Sequence, residues 1–508
     1  MKSFYITTPI YYINFSPHIG HAYTSIACDI LARYNKLLGN DVYFLSGTDE
    51  HGQKVEQAAN NQSLKPQDFA DKMSVQFKDL ISFLNCETND FIRTTETRHK
   101  KAAQALWNKL LDNNQIYLSN YEGWYSIRDE AFYSENELIK KNGKLIAPSG
   151  AEVEWIKEES YFFKLSEWQD RLIDFYNNNP KSILPESRFN EVLSFIKSGL
   201  KDLSISRTTF AWGVPVPNNP KHVMYVWIDA LCNYLTSIGY PDENSANFKN
   251  YWPALHIVGK DILRFHSVYW PAFLMAAGLK PPSRVFAHGW WTNEGEKISK
   301  SLGNVIDPYE IVSKYGLDQI RFFLFREVPF GNDGDFSKDA IAQRLNADLS
   351  NNYGNLVQRI CSFVKKNCDS KIFNNFDNNE DDNILLKSSI KRLNNYKKYM
   401  SNQEIDKALK EVFLLLNEAN FYVDKQAPWN LKKTNIERMK TVLSVSIEII
   451  RRATILLYPI MPKSCTNIFS LLNINNKDIN ISNYESISSK PLIINDPFPI
   501  FPRIEIND

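Results

Sequence analysis

The stretch NFSPHIGHAYTSIACDILARYNKLLG, residues 14–39, sets two histidines, His18 and His21, around Gly20 where a helix should open. Downstream, Ile26, Ala27, Ile30, Leu31, Tyr34, Leu37 and Leu38 recur at helical spacing, which predicts one amphipathic helix. Ser16 and Pro17 are start signals and Gly39 is a stop signal. Residues three apart in a first turn face the same way. The helix start supplies unpaired N–H groups and a partial positive charge, both of which attract phosphate. Gly20, without a side chain, would let a flat group lie against the backbone. Taken alone, a histidine at a helix start is more often just part of a solvated surface.

A second stretch changes that balance. In NEGEKISKSLGN, residues 293–304, Lys297 and Lys300 alternate with serines, Ser299 among them, between Gly295 and Gly303. It reads as a movable loop just past a strand. A lysine–serine run by itself is usually surface; the pairing with the histidine motif is what makes it a candidate for phosphate chemistry.

The elements that must position these groups follow from local pattern. Residues 4–7 and 41–45 read as strands flanking the histidine helix, a strand–helix–strand unit with a right-handed crossover and a parallel sheet. Ligands gather at the carboxyl ends of such strands, which places SGTDEHG, with Asp49, beside the histidines. Residues 256–259 and 284–291 read as strands around the helical DILRFHSVYWPAFLMAAG, a second such unit. Between the halves, short aromatic segments such as YEGWYSI and SYFFKL read as an insertion of mixed strands and helices. From about Leu345 the pattern is almost wholly helical, with a loop at NNFDNNEDDN, ends or kinks at Pro428 and Pro459, and an extended tail expected to pack back on the body.

With 508 residues the chain exceeds one core, so several domains are expected. A formal net charge of +1 argues against indiscriminate binding to polyanions, so a nucleic acid would meet local basic patches. Six scattered cysteines without a C-x-x-C pair suggest a reducing compartment. The N-terminus lacks the apolar run of a signal peptide, and no segment approaches a membrane span; a cytoplasmic protein without membrane contact is expected.

The two motifs resemble HIGH and KMSKS, the signatures of class I aminoacyl-tRNA synthetases, with Ile298 in place of the commoner methionine. Within that class TTPIYYINFSPHIGHAYT, FLSGTDEHGQKV, YEGWY, SYFFKL, AWGVPVP, YVWIDAL, VGKDILRFHSVYWPA and VDKQAPW are similar, in order, to the methionyl-tRNA synthetase family, over nearly the whole chain. The resemblance implies an α/β protein: a parallel-sheet, Rossmann-type catalytic domain of the HIGH superfamily, split by a mixed α/β insertion and followed by an all-α bundle. It sets expected domains at 1–115 and 226–295 (the catalytic halves), 116–225 (the insertion), 296–350 (the lysine loop and stem-contact region) and 351–508 (the anticodon-binding domain with its tail).

The implied reaction is ATP-dependent activation of methionine, with magnesium accompanying the ATP, and transfer to the 3′ end of tRNA(Met), initiator and elongator alike. The resemblance assigns ATP to His18, Gly20, His21, Gly259, Asp261, Lys297, Ser299 and Lys300. Of these His18, His21, Lys297 and Lys300 are the catalytic set. It assigns methionine to Ile10, Tyr12, Asp49, Trp227, Ala230, Leu231, Tyr234, Ile262 and His266, with Asp49 as the ammonium anchor. A thioether packs well against aromatic edges, although Leu231 and Ile262 serve equally as core. Asn355, Arg359 and Trp429 are assigned to the CAU anticodon, where stacking and base-edge hydrogen bonds are expected; a Trp after Pro is also an ordinary helix-end plug.

Where many relatives hold zinc with cysteine pairs, this chain has Ser126, Asp129, Ile146 and Ser149, so no metal site is expected and aromatic packing must hold the insertion. The chain ends soon after FPRIE without the extra β-barrel that dimerises longer relatives, which implies a monomer. The rival readings are a synthetase for leucine or valine, against which the short insertion and QAPW argue, and a catalytically dead RNA-binding paralogue, against which the intact motif residues argue.

Overall fold

Tyr5 and Ile6, both buried, sit in the first strand of a seven-stranded sheet. Its members are β1 (Ser3–Thr7), β2 (Tyr11–Tyr12), β3 (Asp41–Asp49), β4 (Asp90–Arg93), β5 (Ile183–Leu184), β6 (Leu255–Gly259) and β7 (Arg284–His288). The strand order is β5–β7–β6–β1–β3–β2, with β4 also paired to β3. The ladders β1·β6, β5·β7, β2·β3 and β3·β4 run parallel. The computed structural model describes residues 2–126, 131–133, 135–141, 143–293, 295–297, 306–373, 379–475, 478–486 and 491–505. The chain divides into two compact units, one of residues 3–17 and 43–287, the other of 1–2, 18–42 and 288–508.

In the first unit β3 is buried almost continuously, as a parallel strand covered on both faces must be. The expected end at Leu45 is too early. Ser46, Gly47 and Thr48 look like a loop in sequence, but their polar groups are satisfied in place: Thr8 donates to Ser46 Oγ at 2.9 Å and Thr48 donates to Glu50 Oε1 at 2.6 Å. Gly47 is required by β4, because a Cβ there would lie 2.1 Å from the Ile92 carbonyl oxygen. The longer strand makes Asp49 its last residue. The helical stretch after β6 is also interrupted. It comprises a tight turn at Lys260–Ile262, a π-helical turn at Phe265–Tyr269 and an α-helix at Trp270–Ala276. Trp107, Phe163, Trp270 and Phe273 anchor the core of this unit.

The insertion forms an antiparallel sheet from Ile116–Ser126, Ala131–Tyr133, Glu154–Phe163 and Leu203–Ser204. Its chain also contributes β5 to the main sheet, where Ile183 and Leu184 pair with Val285 and Phe286. Aromatic pairs contribute, such as Trp124 with Trp155. The expectation of aromatic packing omitted a buried polar knot. The fully buried Arg207 lies 3.8 Å over the Tyr225 ring and 3.4 Å from Glu158, while Ser160, Ser204, Ser206 and His222 are joined by hydrogen bonds beneath it.

In the second unit helix α1 (Ile19–Leu37) is buried over most of its length. Its first turn packs through Tyr23 against Phe325, Trp291, Phe330 and His288. The helices α2 (Asn355–Asn367), α3 (Glu380–Ser401), α4 (Ile405–Gln426), α5 (Pro428–Thr434), α6 (Ile436–Leu457) and α7 (Pro462–Leu471) follow. The almost wholly buried α6 takes the central place that an all-round apolar helix requires. The acidic end of NNFDNNEDDN, expected as loop, is the first turn of α3: Asn379 caps it, and Glu380, Asp381 and Asp382 favour the positive end of the helix. Residues 374–378 of that stretch lie outside the described residues. The tail folds back as expected, with Phe501 against Tyr353 and two hydrogen bonds between Ile504 and Asn346.

A buried charge cluster ties α1 into this unit. Asp29 Oδ2 accepts from Arg33 Nε at 2.7 Å and from Arg321 at 2.6 Å, and Arg321 Nε donates onward to the Ile460 carbonyl at 2.8 Å. Removing one member of a buried pair leaves the other charge uncompensated. Asp29→Asn, which strands two buried guanidinium groups, is therefore expected to lower stability by about 3–5 kcal/mol, read as a fall in the urea midpoint; an unchanged midpoint would show the cluster to be dispensable.

Candidate functional site

The first unit gathers the residues assigned to the amino acid. Asp49, 6 % exposed at the end of β3, stands opposite Tyr12 in the β2·β3 ladder, and its carbonyl accepts from Ile13 N at 3.3 Å. Two residues on, His51 Nδ1 lies 2.6 Å from Asp229 Oδ2 in the short helix Val226–Leu231, the same helix that carries Trp227, Ala230 and Leu231. Trp227 lies flat against Phe265, ring centroids 3.5 Å apart and planes 8° from parallel. Next to Phe265, His266 is bonded by Tyr234. Ala230, Tyr125 and Tyr225 form a small apolar cluster joined by Ile10 and Trp227. Leu231 is buried in the main core of the unit, and Ile262 packs on that core from its edge. Gly259 closes β6 and Asp261 lies in the turn that follows.

His266 has a defined protonation. Its Nδ1 lies 2.9 Å from the Ile262 carbonyl oxygen, which can only accept, so Nδ1 carries the proton. Nε2 then accepts from the Tyr234 hydroxyl at 2.7 Å. Burial drives the imidazole down to about 4, against smaller upward pulls from the Ile262 carbonyl and Asp261. The ring is neutral at physiological pH, which suits a wall facing a thioether.

In the second unit the paired histidines cap their own helix. His18 is the N-cap: its Nδ1 accepts from Gly20 N at 3.1 Å, while His21 Nδ1 accepts from His18 N at 3.0 Å. The reciprocal arrangement is a capping box built from imidazoles. Backbone N–H groups only donate, so both Nδ1 atoms are unprotonated and each neutral ring carries its proton on Nε2. The rings lie 4.0 Å apart. The start signals at Ser16 and Pro17 thus precede a cap supplied by the first histidine of the motif. Gly20 also has a local reason to be glycine, since a Cβ there would come within 2.9 Å of the His18 ring.

The lysine motif is described only at its borders. Lys297 ends the strand Glu296–Lys297, opposite Thr292, whereas Ser299 and Lys300 lie outside the described residues. Just past the motif, the Ile306 carbonyl accepts from Ile19 N at 3.2 Å. The chain just past the lysine motif is thereby fastened to the residue following His18.

Asn355 is exposed at the start of α2, and Arg359 one turn later binds Asp424 at 2.9 Å and Asn420 at 3.3 Å, both on α4. Trp429, 41 % exposed, lies at the start of α5, beyond the left-handed corner at Ala427. Of the four positions where relatives hold zinc, Ser126 is buried at a strand end, Ile146 ends another strand, Ser149 lies in a turn and Asp129 lies outside the described residues. Among the described residues no group of three or more His, Cys, Asp or Glu side chains is placed to hold a metal ion.

Sequence reasoning missed Phe265, His51, His99, Asp229 and Trp212. One signal was available for Asp229: a carboxylate inside the apolar YVWIDAL must find a partner when buried. The Trp212 indole donates to the Glu50 carbonyl at 2.6 Å, and Trp212 accepts from Gly52 N at 3.0 Å, which holds the loop after Asp49 from the insertion side.

The His266 geometry carries a pH dependence. Its folded value lies below the ordinary value of about 6.5, so the unfolded chain takes up the proton first. The stability conferred by the neutral ring is complete above about pH 6.5 and is lost as pH falls towards 4. Between those limits the urea midpoint of His266→Gln should fall less steeply than that of the parent chain; equal slopes would contradict a buried neutral imidazole.

The comparisons with known proteins agree with this geometry. The family profile described as tRNA synthetases class I (M) matches residues 4–361, and that described as the anticodon binding domain of methionyl tRNA ligase matches residues 374–491. A methionine–tRNA ligase of Rickettsia felis is 52 % identical over 512 residues, covering 99 % of each chain. One of Brucella suis is 50 % identical over 508 residues, covering 99 % of this chain and 98 % of its own. The solved Mycobacterium tuberculosis methionyl-tRNA synthetase, in complex with methionyl-adenylate, is 46 % identical with a TM-score of 0.96, covering 99 % of this chain and all of that one. With the α/β catalytic fold and helical anticodon-binding domain in place, the chain belongs to the methionine–tRNA ligase family of class I aminoacyl-tRNA synthetases.

Proposed function

We propose that this ligase performs both steps of methionine–tRNA formation with the residues singled out above. In the first, an oxygen of the methionine carboxylate attacks the α-phosphorus of ATP, the new O–P bond forms, and pyrophosphate leaves with the electrons of the broken bond. In the second, a hydroxyl of the 3′-terminal ribose of tRNA(Met), initiator or elongator, attacks the activated carbonyl and AMP departs. Catalysis of the first step rests on positioning and charge stabilisation, with no protein nucleophile.

Asp49 pairs with the substrate ammonium. Trp227, Tyr12, Ile10, Ala230, Tyr234 and His266 wall the thioether slot, with Leu231 and Ile262 packing behind. The Nε2–H groups of His18 and His21 donate to the phosphates, Gly20 lies beneath the adenine, and Gly259 and Asp261 meet the nucleoside. Lys300, seconded by Lys297 and Ser299, closes over the β- and γ-phosphates, whose charge magnesium shares when ATP is bound. Asn355, Arg359 and Trp429 read the anticodon. The supporting observation for the phosphate site is the hydrogen bond from Ile19 to Ile306, which joins the exit of the lysine loop to the histidine motif. For the amino-acid slot it is the link from the His51 loop, two residues past Asp49, through Asp229 to the helix of Trp227, which stacks on Phe265. The adenylate held by the Mycobacterium tuberculosis relative supports the same chemistry.

The remaining readings are a zinc-free insertion, for want of thiolates at Ser126, Asp129, Ile146 and Ser149, and a monomer working in the cytoplasm. Among the described residues no helix is long and apolar enough to cross a membrane. The domain boundaries proposed from the sequence are kept, with residues 296–350 as the stem-contact region.

Exchange of pyrophosphate into ATP tests the specificity: methionine should support it well above leucine or valine, and a faster rate with either would overturn the assignment. Lys300→Ala should lower that exchange by about 10²–10³ while anticodon binding survives. Trp429→Ala should do the opposite, sparing exchange and weakening tRNA charging by roughly one stacked base, about 1–3 kcal/mol. Equal damage to both activities by both variants would contradict the division of labour.

A further inference from the structure

Asp229 is fully buried, and each of its oxygens meets a different histidine. Oδ2 lies 2.6 Å from His51 Nδ1 and Oδ1 lies 2.7 Å from His99 Nε2. Burial pushes this carboxyl upward, yet the two imidazoles outweigh it and hold the group well below the usual carboxylate range. The group is thus an anion accepting two N–H donors from separate elements: the loop that continues β3 beyond Asp49, and the helix Thr97–Asp112. Asp229 itself lies in the short helix that presents Trp227.

The loop carrying His51 has further restraints, each independent of Asp229. Trp212 holds it through its indole and backbone, and its ring meets His51 edge-on at 5.4 Å. Glu50 is gripped by Arg93 at 2.7 and 3.0 Å and by Thr95. None of these reaches the helix of Trp227. The Asp229 carboxylate is the direct polar link among the described residues from the element bearing the proposed ammonium anchor to the element bearing the proposed thioether wall.

We propose that Asp229 is a positioning residue for methionine: bridging His51 and His99, it fixes the separation between Asp49 and the Trp227–Phe265 stack, and so sets how tightly a substrate with one ammonium and one thioether is held. The inference rests on the proposed amino-acid slot. It concerns amino-acid affinity and not ATP affinity, because the residues proposed for ATP lie on neither the loop of His51 nor the helices of Asp229 and His99.

The test is steady-state pyrophosphate exchange on the full chain, with methionine and ATP titrated separately. In Asp229→Asn an amide N–H₂ faces an imidazole donor, so one bridge is lost. The methionine KM is expected to rise about tenfold to a hundredfold, the usual cost of a lost hydrogen bond to a charged group, with the ATP KM unchanged within about twofold. Partial unfolding would lower kcat and leave KM alone, which separates positioning from mere stability. Should Asp229→Asn fail to fold, His51→Phe gives the same comparison. His51→Gln, which retains an N–H donor, should recover most of the methionine affinity lost in His51→Phe. A methionine KM unchanged in the folded variants, or methionine and ATP KM values rising together, would overturn the proposal. Asp49→Asn is the accompanying control: if it raises the methionine KM while Asp229→Asn does not, the positioning role alone fails; if neither does, the amino-acid slot fails with it.

Discussion

The reciprocal cap at the start of α1 is the constraint on which the proposed chemistry depends. A helix leaves its first N–H groups without partners, and here two of the motif's own backbone N–H groups are satisfied by the histidine side chains. That choice fixes the tautomer of both rings. With Nδ1 an acceptor, Nε2 carries the proton, so in the role proposed for it the pair would stabilise developing phosphoryl charge without being cations. The same turn receives the exit of the lysine loop through Ile306. Local helix chemistry and the proposed phosphate chemistry would therefore share one structural requirement, and Gly20 is needed at least for the space that His18 occupies.

The two units show different ways of holding a functional element. In the second, α1 is locked by aromatic packing around Tyr23 and by the buried Asp29–Arg321 pair reaching the Ile460 carbonyl. In the first, the proposed amino-acid slot lies where a continuous parallel strand ends and a short helix begins, joined through a buried carboxylate. Both solutions bury charge, and both satisfy it with more than one donor, the condition under which buried ions persist. The insertion also buries a charge, at Arg207, which donates to Ser204 and the Ser206 carbonyl and lies beside Tyr225 and Glu158.

What the sequence made legible was local. The helix of residues 19–37, the parallel strands, the almost wholly helical stretch from about Leu345 and the returning tail follow from periodicity and punctuation. The boundaries that failed did so for tertiary reasons. Ser46, Gly47 and Thr48 resemble a loop until the strand beside them demands a glycine and their neighbours take up the hydroxyls. The acidic run that opens α3 reads as solvent-loving until Asn379 caps it and Asp382 meets Arg438. In the site, Asp49, Trp227 and His266 stood out by resemblance, whereas Phe265, His51 and His99 did not. Their partners lie far away in the chain, and nothing in a single sequence reports which carboxylate a distant histidine will meet.

The central claim, that the paired imidazoles are neutral donors whose Nδ1 atoms cap the helix, can be read directly from the nitrogen shifts of the histidines. The chain holds only eight histidines, so ¹⁵N-histidine labelling, with His18→Asn and His21→Asn for assignment, isolates the two rings at neutral pH. Both should show an acceptor-type Nδ1 and a protonated Nε2, with the Nε2 shifts moving when an ATP analogue is added. A proton on Nδ1 of either ring, or shifts indifferent to the nucleotide, would contradict the account.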